Sequence, residues 1–122
     1  MTRFATYSAD GETFYGAVGE GGMIALSPAF REWPDLRAVI EAGGLYDLAV
    51  AAQNKPVTHP DGSFHYEIPI TNPEKIICVG VNFPDRNAEY KDGQDAPPNM
   101  SLFIRFPRSF TGHDRPLIRP PE

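Results

Sequence analysis

Proline sets the tightest limit on what this chain can fold into. Thirteen of the 122 residues are proline, and seven of them fall from Pro84 onwards. Proline fixes φ and removes a backbone donor, so the second half is restricted to loops and short strands. The first half carries turn signals at closer spacing. Two β-prone runs, residues 3–8 and 12–18, flank Asp10-Gly11, the pair that best suits a two-residue hairpin turn. Glu20-Gly21-Gly22 forms a second turn and Met23-Ile24-Ala25-Leu26 a third strand, so the opening reads as a small antiparallel meander.

Helices follow. Trp33-Pro34-Asp35 leads into a segment where Leu36, Val39 and Ile40 recur at helical spacing. Asp35 is suited to cap its N-terminus and Gly43-Gly44 to end it. Residues 45–53 read as a second short helix with Leu45, Leu48 and Ala52 on one face, closed by Lys55-Pro56. Pro60-Asp61-Gly62 is a turn, and Phe64 to Ile70 alternates as a half-buried strand. The polar break Thr71-Asn72-Pro73-Glu74 places a domain boundary at about residue 72, giving an N-terminal α+β domain over 1–72 and a second domain over 73–122.

Lys75 to Val81 is the most apolar β-prone run and reads as a buried strand. Asp85 is placed to cap a helical turn through Tyr90, and Lys91-Asp92-Gly93-Gln94-Asp95 is a polar loop. Ser101 to Phe106 is a strand with Leu102, Ile104 and Phe106 on one face and Phe103 and Arg105 on the other. Residues 116–119 form a further extended piece.

Charge and cysteine usage narrow the function. The net charge of −5 argues against a nucleic-acid surface, which needs clustered Lys and Arg to displace counterions. Arg105, Arg108, Arg115 and Arg119 gather late in the chain, either as a solvated loop edge or as a patch for a small carboxylate. Cys78, the single cysteine, lies in an apolar run and reads as a small buried hydrophobe. With no intrachain disulfide possible, the expectation is a reducing cytoplasm. The N-terminus lacks a long apolar stretch, and no segment approaches the roughly 20 apolar residues of a membrane span. His59, His65 and His113 do not fall at metal-ligand spacing.

From residue 73 the chain resembles a known family. Pro73-Glu74-Lys75-Ile76-Ile77-Cys78-Val79-Gly80-Val81-Asn82-Phe83 is similar to the opening of the catalytic domain in the fumarylacetoacetate hydrolase family, where a buried strand ends in a Gly-x-Asn-Tyr or Gly-x-Asn-Phe turn. The Asp-His-x-x-Glu type segment that follows there is here Asp85-Arg86-Asn87-Ala88-Glu89. Pro98-Asn99-Met100-Ser101-Leu102-Phe103-Ile104-Arg105 resembles the family's proline followed by Leu-Phe-x-Lys or Arg. Thr111-Gly112 with Pro116-Leu117-Ile118-Arg119-Pro120 resembles its glycine loop and the strand after it. The resemblance covers residues 73 to 121; residues 1–72 share the layout of the family's variable N-terminal domain.

The resemblance implies an α+β chain in which a small N-terminal domain precedes the beginning of a mostly antiparallel β-roll. It implies a metal-dependent enzyme, commonly a homodimer, that takes a small oxo-acid. The favoured reaction is hydrolysis of a C–C bond in a 2,4-dioxo acid. The alternatives are a lyase or dehydratase on 2-keto-3-deoxy sugar acids, or a non-catalytic piece that only folds or pairs with a partner chain. Mg²⁺ or Mn²⁺ would chelate the oxo-acid and stabilise an enolate. The family's carboxylate ligands are expected beyond Glu122, so none is assigned within this chain. Arg86 occupies the position of the family's catalytic His and cannot act as a base near neutral pH. Glu89 is carried over as base or water-orienting group, Arg86 as a partner for substrate carboxylate or oxyanion, and Arg105 as the family's Lys or Arg. His113, in the glycine loop, is a candidate to replace the missing base.

Overall fold

The computed structural model describes residues 1–80 and 99–121. The chain divides into two compact units, Met1–Asn72 with Phe110–Glu122, and Pro73–Ser109. Mixed helix and strand make it α+β.

The first unit is built on five antiparallel strands: β1 (Phe4–Ala9), β2 (Glu12–Gly19), β3 (Gly22–Ala25), β4 (His59–Pro60) and β5 (His65–Tyr66), in the order β4-β3-β2-β1-β5. The β1–β2 turn uses left-handed backbone at both Asp10 (φ 52°) and Gly11 (φ 82°), as a twisted two-residue hairpin requires. The two edge strands are close in sequence, separated only by residues 61–64. In a flat sheet they would lie roughly 19 Å apart, four strand spacings. The turn closed by Ser63 N–H donating to Pro60 O (3.0 Å) lets this connection reach no more than about 14 Å. The sheet must therefore curl, and it forms a half-barrel.

Each face of the curled sheet carries its own core. On one face Tyr15, Ala17, Ile24 and Leu26 pack with Leu36, Val39 and Leu48 from the two helices. These are α1 (Leu36–Glu41) and α2 (Leu45–Ala52). Full burial of a Leu or Val contributes on the order of 1.5–3 kcal/mol. On the concave face Tyr7, Ala9 and Met23 are buried among Phe14, Val18, Phe64 and Tyr66. Asp35 Oδ1 accepts from the Ala38 N–H (2.8 Å), the N-cap its position suggested. Gly43 leaves α1 at φ 72°. Of the expected apolar helix positions, Leu36, Val39 and Leu48 are buried, whereas Ile40 and Leu45 are exposed. A 3₁₀ turn at Ser27–Ala29, which the sequence pattern did not suggest, carries the chain from β3 to the helices.

The strand expected over Phe64 to Ile70 is shorter. Its ladder covers only His65 and Tyr66, extended by Glu67 N–H donating to Thr6 O (2.9 Å). Pro69 has no donor with which to continue it.

The second unit pairs β6 (Ile77–Gly80) with β7 (Ser101–Ile104), antiparallel, with Ile77 opposite Ile104 and Val79 opposite Leu102. The expectation that Lys75 to Val81 is a buried strand is corrected here for the described part. Ile77 and Val79 are 61% and 50% exposed, because among the described residues nothing covers that face of the two-stranded sheet. Cys78 is half-buried, not buried. The helical turn expected from Asp85 to Tyr90 lies outside the described residues. Among the described residues no helix is long and apolar enough to cross a membrane.

Candidate functional site

Of the sequence-derived site residues, Arg86 and Glu89 lie outside the described residues. Arg105 is described, just past β7 in the second unit. Its backbone N–H donates to Ile76 O (3.1 Å), extending the β6–β7 ladder by one bond. Its side chain is exposed, with Cζ 5.6 Å from the Phe103 ring centroid, so the two residues do share one side of the strand. A shallow depression runs beside it, lined by Pro73, Lys75, Ile77, Ile104 and Phe106. It is mostly apolar, with Arg105 and Lys75 as its cationic groups.

The first unit holds a more polar arrangement, where residues 110–115 pass the open side of β5. Because strand side chains alternate, Tyr66 and Glu67 point to opposite faces. Tyr66 sits in the concave core, edge-on to Phe64 with centroids 5.1 Å apart. Glu67 Oε1 accepts from the Ser8 hydroxyl (2.8 Å) and lies 3.8 Å from Arg115 Nη2. The chain turns at Gly112, where Arg115 N–H donates to Gly112 O (3.2 Å). A side chain at Gly112 would begin 3.3 Å from the Tyr66 carbonyl oxygen, so glycine lets this loop lie close against β5. His113 stands at the far side of the turn, its ring edge-on to Tyr66 (5.8 Å, 81°) and its Nε2 3.2 Å from Asp114 Oδ2. Beside it an open groove is lined by Tyr66, Ile68, Pro69, Phe110 and Thr111.

This cluster was only partly visible in the sequence. The glycine loop singled out His113, and the run of arginines included Arg115. Ser8 and Glu67 gave no local signal, since they meet across 59 residues through the β1–β5 pairing.

Among the described residues no three His, Cys, Asp or Glu side chains come together as a metal ligand set.

A strand pair ending in Arg105 and a glycine loop held against the sheet follow the order of the motifs read from residue 73. No family model matches the chain. Curated relatives do. The chain is 35% identical over 106 residues to the oxaloacetate tautomerase Fahd2a, mitochondrial, of Rattus norvegicus, covering 84% of this chain and 33% of that protein. It is 28% identical over 106 residues to the human oxaloacetate tautomerase FAHD2A, mitochondrial, with the same coverage. To the oxaloacetate tautomerase fahd2, mitochondrial, of Xenopus laevis it is 41% identical over 54 residues, 44% of this chain and 16% of that protein. The chain thus belongs to the fumarylacetoacetate hydrolase family. It spans about a third of the length of the rat and human relatives.

Proposed function

We propose that this protein serves an enzyme that acts on small 2-oxo acids, and that its reaction is proton transfer between keto and enol forms. The observation that carries this is the 35% identity, over 84% of the chain, to a protein named an oxaloacetate tautomerase. Tautomerisation, unlike hydrolysis of a 2,4-dioxo acid, consumes no water. Either reaction needs a base, which the guanidinium of Arg86 cannot be, so on this reading that role falls to Glu89.

On this reading residues 73–121 contribute the beginning of the family's β-roll, with Arg86, Glu89 and Arg105 as its sequence-derived site residues. The active form is a homodimer that uses Mg²⁺ or Mn²⁺. The compartment is a reducing one: the single half-buried Cys78 offers no intrachain disulfide, and the relatives are described as mitochondrial.

The test starts from protein purified from its own cells, with its intact mass compared with 13.5 kDa. The ultraviolet absorbance of enol-oxaloacetate is then followed with and without added Mg²⁺. Decay to the keto form well above the buffer rate is expected. Cleavage of an acylpyruvate into two acids without tautomerase activity would replace this reading by the hydrolase. Loss of water from a 2-keto-3-deoxy sugar acid would replace it by the dehydratase. Inertness towards all three would leave a folding or pairing role.

A further inference from the structure

β5 is a short edge strand that pairs with β1 at two positions, Tyr66 opposite Tyr7 and His65 opposite Ser8. So brief a ladder holds a strand weakly, and an open sheet edge is a template for another chain. Beyond the ladder, Glu67 N–H donates to Thr6 O (2.9 Å), Thr6 Oγ1 to Pro69 O (2.8 Å) and Ser8 Oγ to Glu67 Oε1 (2.8 Å). Backbone groups alternate in direction along an antiparallel strand. With Glu67 bonded to β1, Tyr66 turns its own N–H and C=O to the outer edge. Gly112 lies against that edge: a Cβ there would be 3.3 Å from Tyr66 O and 3.7 Å from Glu67 Cα. The next residues reach round both faces of the strand. His113 meets the Tyr66 ring edge-on at 5.8 Å on one face, and Arg115 Nη2 lies 3.8 Å from Glu67 Oε1 on the other. Phe110 and Thr111 line the same groove as Ile68 and Pro69.

We propose that residues 110–115 are a strap that covers the outer edge of β5 and keeps the strand on β1. When the strap is released, β5 parts from β1 while β1, β2 and β3 stay paired. The backbone approach at Gly112 is the main hold. The Arg115–Glu67 pair is 52% and 32% exposed and longer than a hydrogen bond, so solvent screens it. The ring contact is a single pair, and His113 is 67% exposed. Gly112, by contrast, sets backbone against backbone, and one added side chain forces the two apart. The strap follows the whole of Pro73–Ser109 in the chain, so closure of the first sheet's edge depends on a segment that lies beyond the second unit in sequence.

The test is amide exchange followed by NMR in the 122-residue protein and in its Gly112→Val and Arg115→Gln variants. Gly112→Val should abolish the nuclear Overhauser contact between the His113 and Tyr66 rings. It should also speed exchange of the Glu67 amide about tenfold or more, with the amides of the β1–β2 ladder within about twofold of wild type. Arg115→Gln should speed the Glu67 amide about fivefold at most, as an exposed ion pair allows. Loss of the ring contact with an unchanged Glu67 amide overturns the strap, because β5 then holds without it. If valine is accommodated and the ring contact survives, a chain ending at Ser109 decides instead. In that chain faster exchange confined to β5 upholds the strap, and a Glu67 amide as slow as in the full chain overturns it. In either variant, equal acceleration of the β1–β2 ladder also overturns it, since residues 110–115 would then support the whole sheet and not β5.

Discussion

The Tyr7 hydroxyl lies 3.0 Å from Nδ1 of His59, so the middle of β1 is tied to β4 at the opposite edge of the same sheet. Phe14 and Phe64 flank the Tyr7 ring at 5.6 and 5.5 Å. Burial pushes the Tyr7 phenol up to about 12. In the unfolded chain the phenol ionises at about 10, so folding favours its protonated form. The stabilisation is complete below pH 10 and is lost as pH rises from there to 12, with a total on the order of 2–3 kcal/mol. Denaturant melts at pH 8, 10 and 11 should show this fall. Tyr7→Phe should flatten it in part, since Tyr15 is raised in the same direction by burial and by nearby Glu32 and Asp35. A profile of Tyr7→Phe identical to wild type would refute the assignment.

Gly44 sits against the indole of Trp33, which stacks on Phe30 at 5.3 Å. A Cβ at position 44 would land on the indole ring. Gly44→Ala should cost about 1–3 kcal/mol by overpacking. As Trp33 is the only tryptophan, its fluorescence in the folded state should shift as the ring moves. An unshifted spectrum with an unchanged melt would mean that the indole yields freely.

α1 has only six residues, so its cap carries much of its definition. Asp35→Ala should lose about 1 kcal/mol, read as a lower denaturant midpoint with unchanged slope. Asp35→Asn should keep most of it, because the amide oxygen can still accept from Ala38.

Ile77, Val79, Leu102 and Ile104 occupy one face of the β6–β7 pair, all at least half exposed. The 122-residue chain should therefore self-associate at high concentration. Val79→Lys or Leu102→Lys should reduce this in sedimentation velocity. Association that persists unchanged in both variants would place its cause elsewhere.

The legible parts of the fold were those whose cause is local. Asp10-Gly11 needs only its own two φ angles, and Asp35 needs only the amide three residues on. The closure of the sheet was not legible, because the strand at His59 has no pattern of its own and the alternation of Phe64 to Ile70 marked a strand without naming its partner. Both strands exist through their partners Met23 and Ser8. The candidate site followed the same rule. Arg105 and His113 were marked by short motifs, whereas Glu67 acquires its partners only when β5 docks on β1. Burial of the described part of the 75–81 run was misjudged because apolar composition records a preference for cover, not the presence of a covering element.

The short connection between β4 and β5 also has a bearing on the order of folding. β1, β2 and β3 are joined by two-residue turns and can form from neighbours alone, whereas both outer ladders wait until a segment some forty residues later arrives at two places at once. That segment acts as a latch across the half-barrel, engaged at Met23 on one side and Ser8 on the other. The amides of Thr58, Asp61 and Glu67, which donate to Met23, Gly21 and Thr6, should then exchange with solvent together and sooner than those of the β1–β2 ladder.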